Sequence, residues 1–331
     1  MQNTTHRPRK SAAQKRRTAR RIAYALFLAG GIASIGASFS LLPLPVPLQG
    51  EDIASIVRGP YTRKAMNQLA YDIARVRAGE HDVPNVFLAA LPADLADVRV
   101  AQQRKDLFVA MILPLVLREN DEIAANRARL MEIMEQSERG AKLAADDRLW
   151  LAAMAERYDT DSADLEELSR RLDIIPPSLA LAQAAEESGW GTSRFASEGN
   201  ALFGQRTYGT DGIAPQGNIQ GRVADETFRV RAYRDLGGAV RSYIHNLNTH
   251  PAYAQFRQER AKKRAADQSL TGHALAGTLM RYSERGSDYV KTLQSLIRAN
   301  RLNDFDKARL LNSKDTADRA PGDRVADNKP I

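Results

Sequence analysis

The residues of this chain best suited to chemistry lie together between Ser178 and Gly204, in SLALAQAAEESGWGTSRFASEGNALFG. Pro176 and Pro177 can only precede or open a helix, Ala180, Ala182, Ala184 and Ala185 favour one, and Gly189 supplies a stop. Glu187 therefore falls in the last turn. There the helix dipole disfavours a negative charge, and the indole of Trp190 with small residues around it would desolvate the carboxylate; both raise its pKa. A carboxyl group still protonated near neutral pH can protonate a glycosidic oxygen. Glu186 beside it reads as a surface carboxylate. Trp190 is either a support for the loop or a platform for a sugar ring, Asn200 either fixes a turn or touches substrate, and Phe203 reads as core.

The same residues carry a family resemblance. Ala184-Ala185-Glu186-Glu187-Ser188-Gly189-Trp190-Gly191, followed by Asn200-Ala201-Leu202-Phe203-Gly204, resembles the glucosaminidase domain of bacterial cell-wall hydrolases, glycoside hydrolase family 73. Ala239-Val240-Arg241-Ser242-Tyr243-Ile244-His245-Asn246-Leu247-Asn248 and Pro251-Ala252-Tyr253 resemble its Bax-type subgroup. The matched strings span about 157 to 297. Upstream, Val83-Pro84-Asn85-Val86-Phe87-Leu88 and Leu113-Pro114-Leu115-Val116-Leu117-Arg118-Glu119-Asn120 are similar to the helical region preceding the catalytic part in that subgroup.

The resemblance implies a lysozyme-like α+β fold, mostly helical, with a cleft between a helical lobe and a small β-hairpin lobe. It implies Glu187 as general acid and a second acid on the hairpin lobe, for which Glu226 is the candidate and Asp225 the alternative. Assistance from the sugar's own N-acetyl group would make that second acid dispensable. A cleft tyrosine is implied in Tyr282-Ser283-Glu284-Arg285-Gly286-Ser287-Asp288-Tyr289, which departs from the family spacing by one residue, so Tyr282 and Tyr289 both stand as substrate contacts. Tyr243 and Tyr253 read as core. The activity implied is endo-β-N-acetylglucosaminidase action on peptidoglycan glycan strands, with no cofactor. The alternatives are a lytic transglycosylase or muramidase on the same substrate, and a non-catalytic wall-binding protein.

Charge is distributed unevenly along the 331 residues. Eight of the 48 basic residues (Arg7, Arg9, Lys10, Lys15, Arg16, Arg17, Arg20, Arg21) precede any acid, and the remaining 40 balance the 40 acids. A net charge of +8 is thus local and gives no basic face for nucleic acid. Ile22 to Leu42 carries no charge, and at about 1.5 Å per residue it reaches roughly 31 Å, enough to cross a bilayer. Positive charge ahead of the span predicts a cytoplasmic amino terminus and a periplasmic or other extracytoplasmic catalytic domain on an inner-membrane anchor. A cleaved signal peptide, with Ser34 and Gly36 as poor cleavage positions, is the alternative. Cysteine is absent, which excludes disulfides and thiol chemistry. His245 and His250 lack the spacing of a zinc hydrolase, and no metal site is expected.

The elements that must position these residues follow from periodicity. Residues 1–21 read as a basic cytoplasmic segment, 22–42 as the anchor, 43–60 as a Pro-rich linker, 61–150 as a helical accessory region, 151–303 as the catalytic domain and 304–331 as a flexible tail. Met66, Leu69, Ile73 and Val76 predict a helix stopped by Gly79, and a second helical pattern runs over 100–134, which Pro114 should kink or break. Helices are predicted near 147–158, 161–172, 236–247, 252–264, 269–280 and 288–299. Thr227 to Tyr233 alternates as a strand.

Overall fold

Ten consecutive residues, Phe108 to Leu117, are buried on every side. They form the middle of α2 (Ala101–Glu138) in the computed structural model, which describes residues 71–208, 212–214 and 228–311. Pro114 sits inside this helix without ending it, so of the two outcomes the sequence offers, the break does not occur. An interior proline costs about 3 kcal/mol. Full burial of Phe108, Met111, Ile112, Leu113, Leu115, Val116 and Leu117 contributes about 1.5–3 kcal/mol each, so packing outweighs the local penalty several-fold.

Ahead of α2 come the short helix α1 (Ile73–Ala78), closed by Gly79, and a 3-10 turn at Ala93–Asp97. After it follow α3 (Ala145–Arg157), α4 (Leu165–Arg171), α5 (Pro177–Ser188) and α6 (Arg194–Gly199). Strands β1 (Arg206–Tyr208) and β2 (Phe228–Val230) pair antiparallel with Thr207 opposite Arg229, and Ile213 adds an isolated bridge to Val230. The chain returns to helix in α7 (Leu236–Thr249), a 3-10 turn at Pro251–Tyr253, α8 (Ala254–Ala265), α9 (Gly272–Ala276), α10 (Ser287–Ala299) and a 3-10 turn at Leu302–Lys307. The fold is α+β and mostly helical.

The centre of this arrangement is α5, whose residues from Pro177 through Ala185 are all buried. A helix apolar all round must be surrounded, and α2, α9, α10 and the 302–307 turn pack against it. One continuous core runs from Val76 to Phe305, with α2 as the floor under α5. Leu302 and Phe305 are fully buried, and the main chain of Val83 pairs with the 309–311 segment through Val83 N–H to Arg309 O and Leu311 N–H to Val83 O, both 2.8 Å.

The predicted helix over 269–280 shrinks to five residues between Thr271, whose side chain caps it, and Gly277. The predicted strand over 227–233 is paired from Phe228 to Val230. Among the described residues no helix is long and apolar enough to cross a membrane. The anchor at 22–42, the linker at 43–60 and both candidates for the second acid, Glu226 and Asp225, lie outside the described residues.

Candidate active site

Helix α5 delivers Glu187 as the sequence predicts, in its last turn, with Gly189 beyond it in the left-handed region at φ 59°. Ser188 then ties the following loop down: its hydroxyl donates to the Ala184 carbonyl and accepts from the Gly191 N–H at 2.9 Å. Gly191 passes so close to α2 and its approach that a Cβ there would lie 2.9–3.0 Å from Leu95, Leu91 and Phe108. Only glycine fits.

The Glu187 carboxyl is pushed up to about 7. Burial is the largest cause; a hydrogen bond from Tyr289 opposes it, the neighbouring charge of Glu186 adds to it, and Arg285 opposes it. The wall responsible is partly backbone. Gly204, at φ 60°, brings the main chain against the carboxylate, and a Cβ there would lie 2.9 Å from Glu187 Oε2. Glu186 points elsewhere, into an ion pair with Arg285 at 2.6 Å.

Tyrosines form the other wall. Tyr289 is buried, its ring stacked parallel on Tyr282 at 5.5 Å, and Tyr282 in turn meets Tyr253 at 5.9 Å. Burial first, and then the charge of Glu187, push the Tyr289 hydroxyl far up, so it serves as a donor and not as an ion. The Tyr282 hydroxyl donates to the Phe203 carbonyl at 3.1 Å, which ties the tyrosine segment to the loop carrying Gly204. Of the two tyrosines left open by the sequence, Tyr289 is the one whose hydrogen bonding lowers the Glu187 carboxyl against the burial that raises it.

Trp190 supports the loop, one of the two roles the sequence offers it. Its ring stands edge-on to Phe108 at 5.8 Å with the Lys105 ammonium 5.0 Å from its centre, so the indole braces the loop against α2. The desolvation expected from the indole comes instead with Gly204 and the tyrosines at the site. Asn200 closes α6 in the left-handed region at φ 53°, and its side-chain amide donates to the Tyr233 carbonyl at 3.1 Å. That amide holds the strand segment to the loop that follows α6, which is the turn-fixing role of the two the sequence offers.

The histidines are occupied by the backbone. His245 Nε2 lies 2.7 Å from the Arg157 carbonyl, and His250 Nδ1 accepts from the Ala252 N–H at 3.2 Å. No group of metal-binding side chains occurs among the described residues. Sequence reasoning missed Gly204, whose glycine identity was the available signal, and Gln183, which lies one helical turn before Glu187 on the same face.

A protonatable carboxyl walled by tyrosines beside a hairpin suits acid cleavage of a glycoside, and the comparisons agree on that class. Residues 162–302 match the glucosaminidase family model, described as mannosyl-glycoprotein endo-beta-N-acetylglucosaminidase, so the chain carries a glycoside hydrolase domain. Over 221 residues it is 33% identical to Protein bax of Escherichia coli (strain K12), covering 64% of this chain and 75% of that protein. The chain belongs to the Bax-like members of the glucosaminidase family. No solved structure matches it.

Proposed function

We propose that the protein is a peptidoglycan hydrolase, an endo-β-N-acetylglucosaminidase that uses Glu187 as its general acid. The observation carrying this reading is the Glu187 carboxyl itself, held at a helix end with its pKa near 7 by burial against Gly204 and the tyrosines. At neutral pH a large fraction is protonated. It gives its proton to the glycosidic oxygen as the C1–O bond breaks, and the carboxylate left behind is met by the Tyr289 hydroxyl. Water then adds to C1 of the oxocarbenium-like centre. Glu226, four residues before the end of β2, is the group proposed to take the water's proton; participation of the substrate's N-acetyl group is the alternative. A lysozyme-like fold and an inner-membrane anchor at 22–42, with the catalytic part on the extracytoplasmic side, complete the proposal.

The test is product analysis. Purified sacculi are digested with the full chain, the products are reduced with borohydride, and the sugar at the new reducing end is identified by mass spectrometry. Reduced N-acetylglucosamine ends are expected. Reduced N-acetylmuramic acid would indicate a muramidase, and non-reducible 1,6-anhydro ends a lytic transglycosylase. Pelleting with sacculi and no new ends would indicate a wall-binding protein. A reporter active only outside the cytoplasm, fused after Gly50, tests the topology.

A further inference from the structure

Behind the acid, α5 carries a buried amide with no place in the reaction scheme. Gln183 is fully buried, one turn before Glu187, in the middle of a helix whose neighbouring buried residues from 179 to 185 are alanine and leucine. A buried amide must be satisfied at both ends, and each end here finds a tyrosine. Tyr243 donates its hydroxyl to Gln183 Oε1 at 2.7 Å, and Gln183 Nε2 donates to the Tyr289 hydroxyl oxygen at 3.0 Å. The Tyr289 hydroxyl in turn adjoins the Glu187 carboxyl, where its hydrogen bonding opposes the effect of burial.

We propose that Gln183 is a positioning residue for the acid: its amide, oriented by Tyr243, fixes the Tyr289 hydroxyl so that its single hydrogen points at Glu187. A tyrosine hydroxyl has one hydrogen to give and can accept as well. Once its oxygen accepts from Gln183 Nε2, that hydrogen is left for the carboxylate. If the amide were turned over, Oε1 would face Tyr289 and draw the hydrogen away. The Tyr243 hydroxyl opposes this turn by donating to Oε1. Both rings are clamped, Tyr243 stacked on Phe203 at 3.9 Å and Tyr289 on Tyr282 at 5.5 Å. Phe203 immediately precedes Gly204, so the loop that presses on the carboxylate also holds the far end of the relay. The device acts after proton transfer, when a partly buried carboxylate needs a donor already in place.

The inference rests on Glu187 as the acid for its catalytic meaning, but its physical content is tested without turnover. Glutamate is labelled with 13C at the side-chain carboxyl in the full chain, and the Glu187 resonance, assigned by its loss in Glu187→Gln, is followed against pH. Gln183→Met keeps the volume and removes the amide. Its Glu187 midpoint should lie about one pH unit above that of the unsubstituted chain, because a donor to the ionised form has been weakened. Tyr289→Phe should raise the midpoint at least as far, and adding Gln183→Met to it should change nothing more, since the amide works only through that hydroxyl. An unmoved midpoint in Gln183→Met overturns the proposal, and so does additivity in the double variant, which would mean that the methionine acts by desolvation alone. Should Gln183→Met not fold, Tyr243→Phe takes its place. It keeps the ring on Phe203, frees the amide to turn, and should shift the midpoint upward by a smaller amount; no shift there overturns the relay. If activity is present, its fall at alkaline pH should move with the midpoint, whereas a merely structural defect lowers activity at every pH. A shifted midpoint in a protein that cuts no glycan would uphold the relay and reject the glycosidase reading.

Discussion

The two ends of α5 each hold a partly buried carboxyl group, and they put it to opposite uses. At the start, Asp306 reaches in from the 302–307 turn: its carboxylate accepts from the Ser178 N–H and the Ser178 hydroxyl at 2.8 Å each, and from the Gly272 N–H at 3.4 Å. Pro176 at the N-cap position offers no side-chain cap, so Asp306 supplies one from another part of the chain. At the finish, Glu187 has the Tyr289 donor and faces Gly204. Burial raises both, Asp306 to about 6 and Glu187 to about 7. A raised pKa alone therefore does not mark a general acid. What separates them is that Asp306 is held by donors on both oxygens at the positive end of the helix dipole, whereas Glu187 stands at the negative end within a tyrosine-lined site.

Substitution should pull the two ends apart. Glu187→Gln keeps the shape and removes the proton, and turnover should fall by about 10² to 10⁴ while circular dichroism and melting show a folded protein. Asp306→Ala should do the reverse: a loss of about 2 kcal/mol in denaturant unfolding from an uncapped helix and unpaired donors, with activity per folded molecule within about threefold. Loss of activity in a folded Asp306→Ala protein comparable to that of Glu187→Gln would collapse the distinction.

A pH series sharpens it further. Both folded pKa values exceed ordinary carboxylate values, so the stability these groups contribute is fully present below about pH 4 and is lost as pH rises through about 6 for Asp306 and about 7 for Glu187. Glu187→Gln should therefore melt higher than the unsubstituted chain at pH 8 and show no such gain at pH 4. Equal melting at both pH values would mean that the carboxyl is not raised. The smallest effect is expected at Glu186, already paired with Arg285 on the surface: Glu186→Gln should leave turnover within about twofold.

How much of this was readable depends on distance along the chain. Glu187 was placed correctly because everything that fixes it, two prolines, four alanines and a glycine, lies within its own helix and flanks. Asp306 was not, because its hydrogen bonds to Ser178 span 128 residues and a local reading sees only a polar tail. Pro114 was left between a kink and a break for a related reason: the burial that keeps the helix continuous is a tertiary quantity. Trp190 was rightly seen as important to the loop, yet its partners Phe108 and Lys105 come from a segment no spacing rule connects to it. Tyr289 and Tyr282 could not be told apart by spacing, because the stacking of their rings and the hydrogen bond from Gln183 to Tyr289 are tertiary contacts.

The pairing of Val83 with the 309–311 segment has a consequence in time. Asn85 Nδ2 also donates to the Leu311 carbonyl at 2.8 Å across 226 residues, and Arg77 reaches the Asn300 carbonyl at 2.7 Å across 223. Such contacts carry the loop-closure cost of nearly the whole domain. On a ribosome adding about 5–20 residues per second, Glu187 emerges several seconds before the 302–311 segment that pairs with Val83 and caps α5. A nascent chain halted near residue 302 would hold Glu187 in a fold that still lacks these contacts.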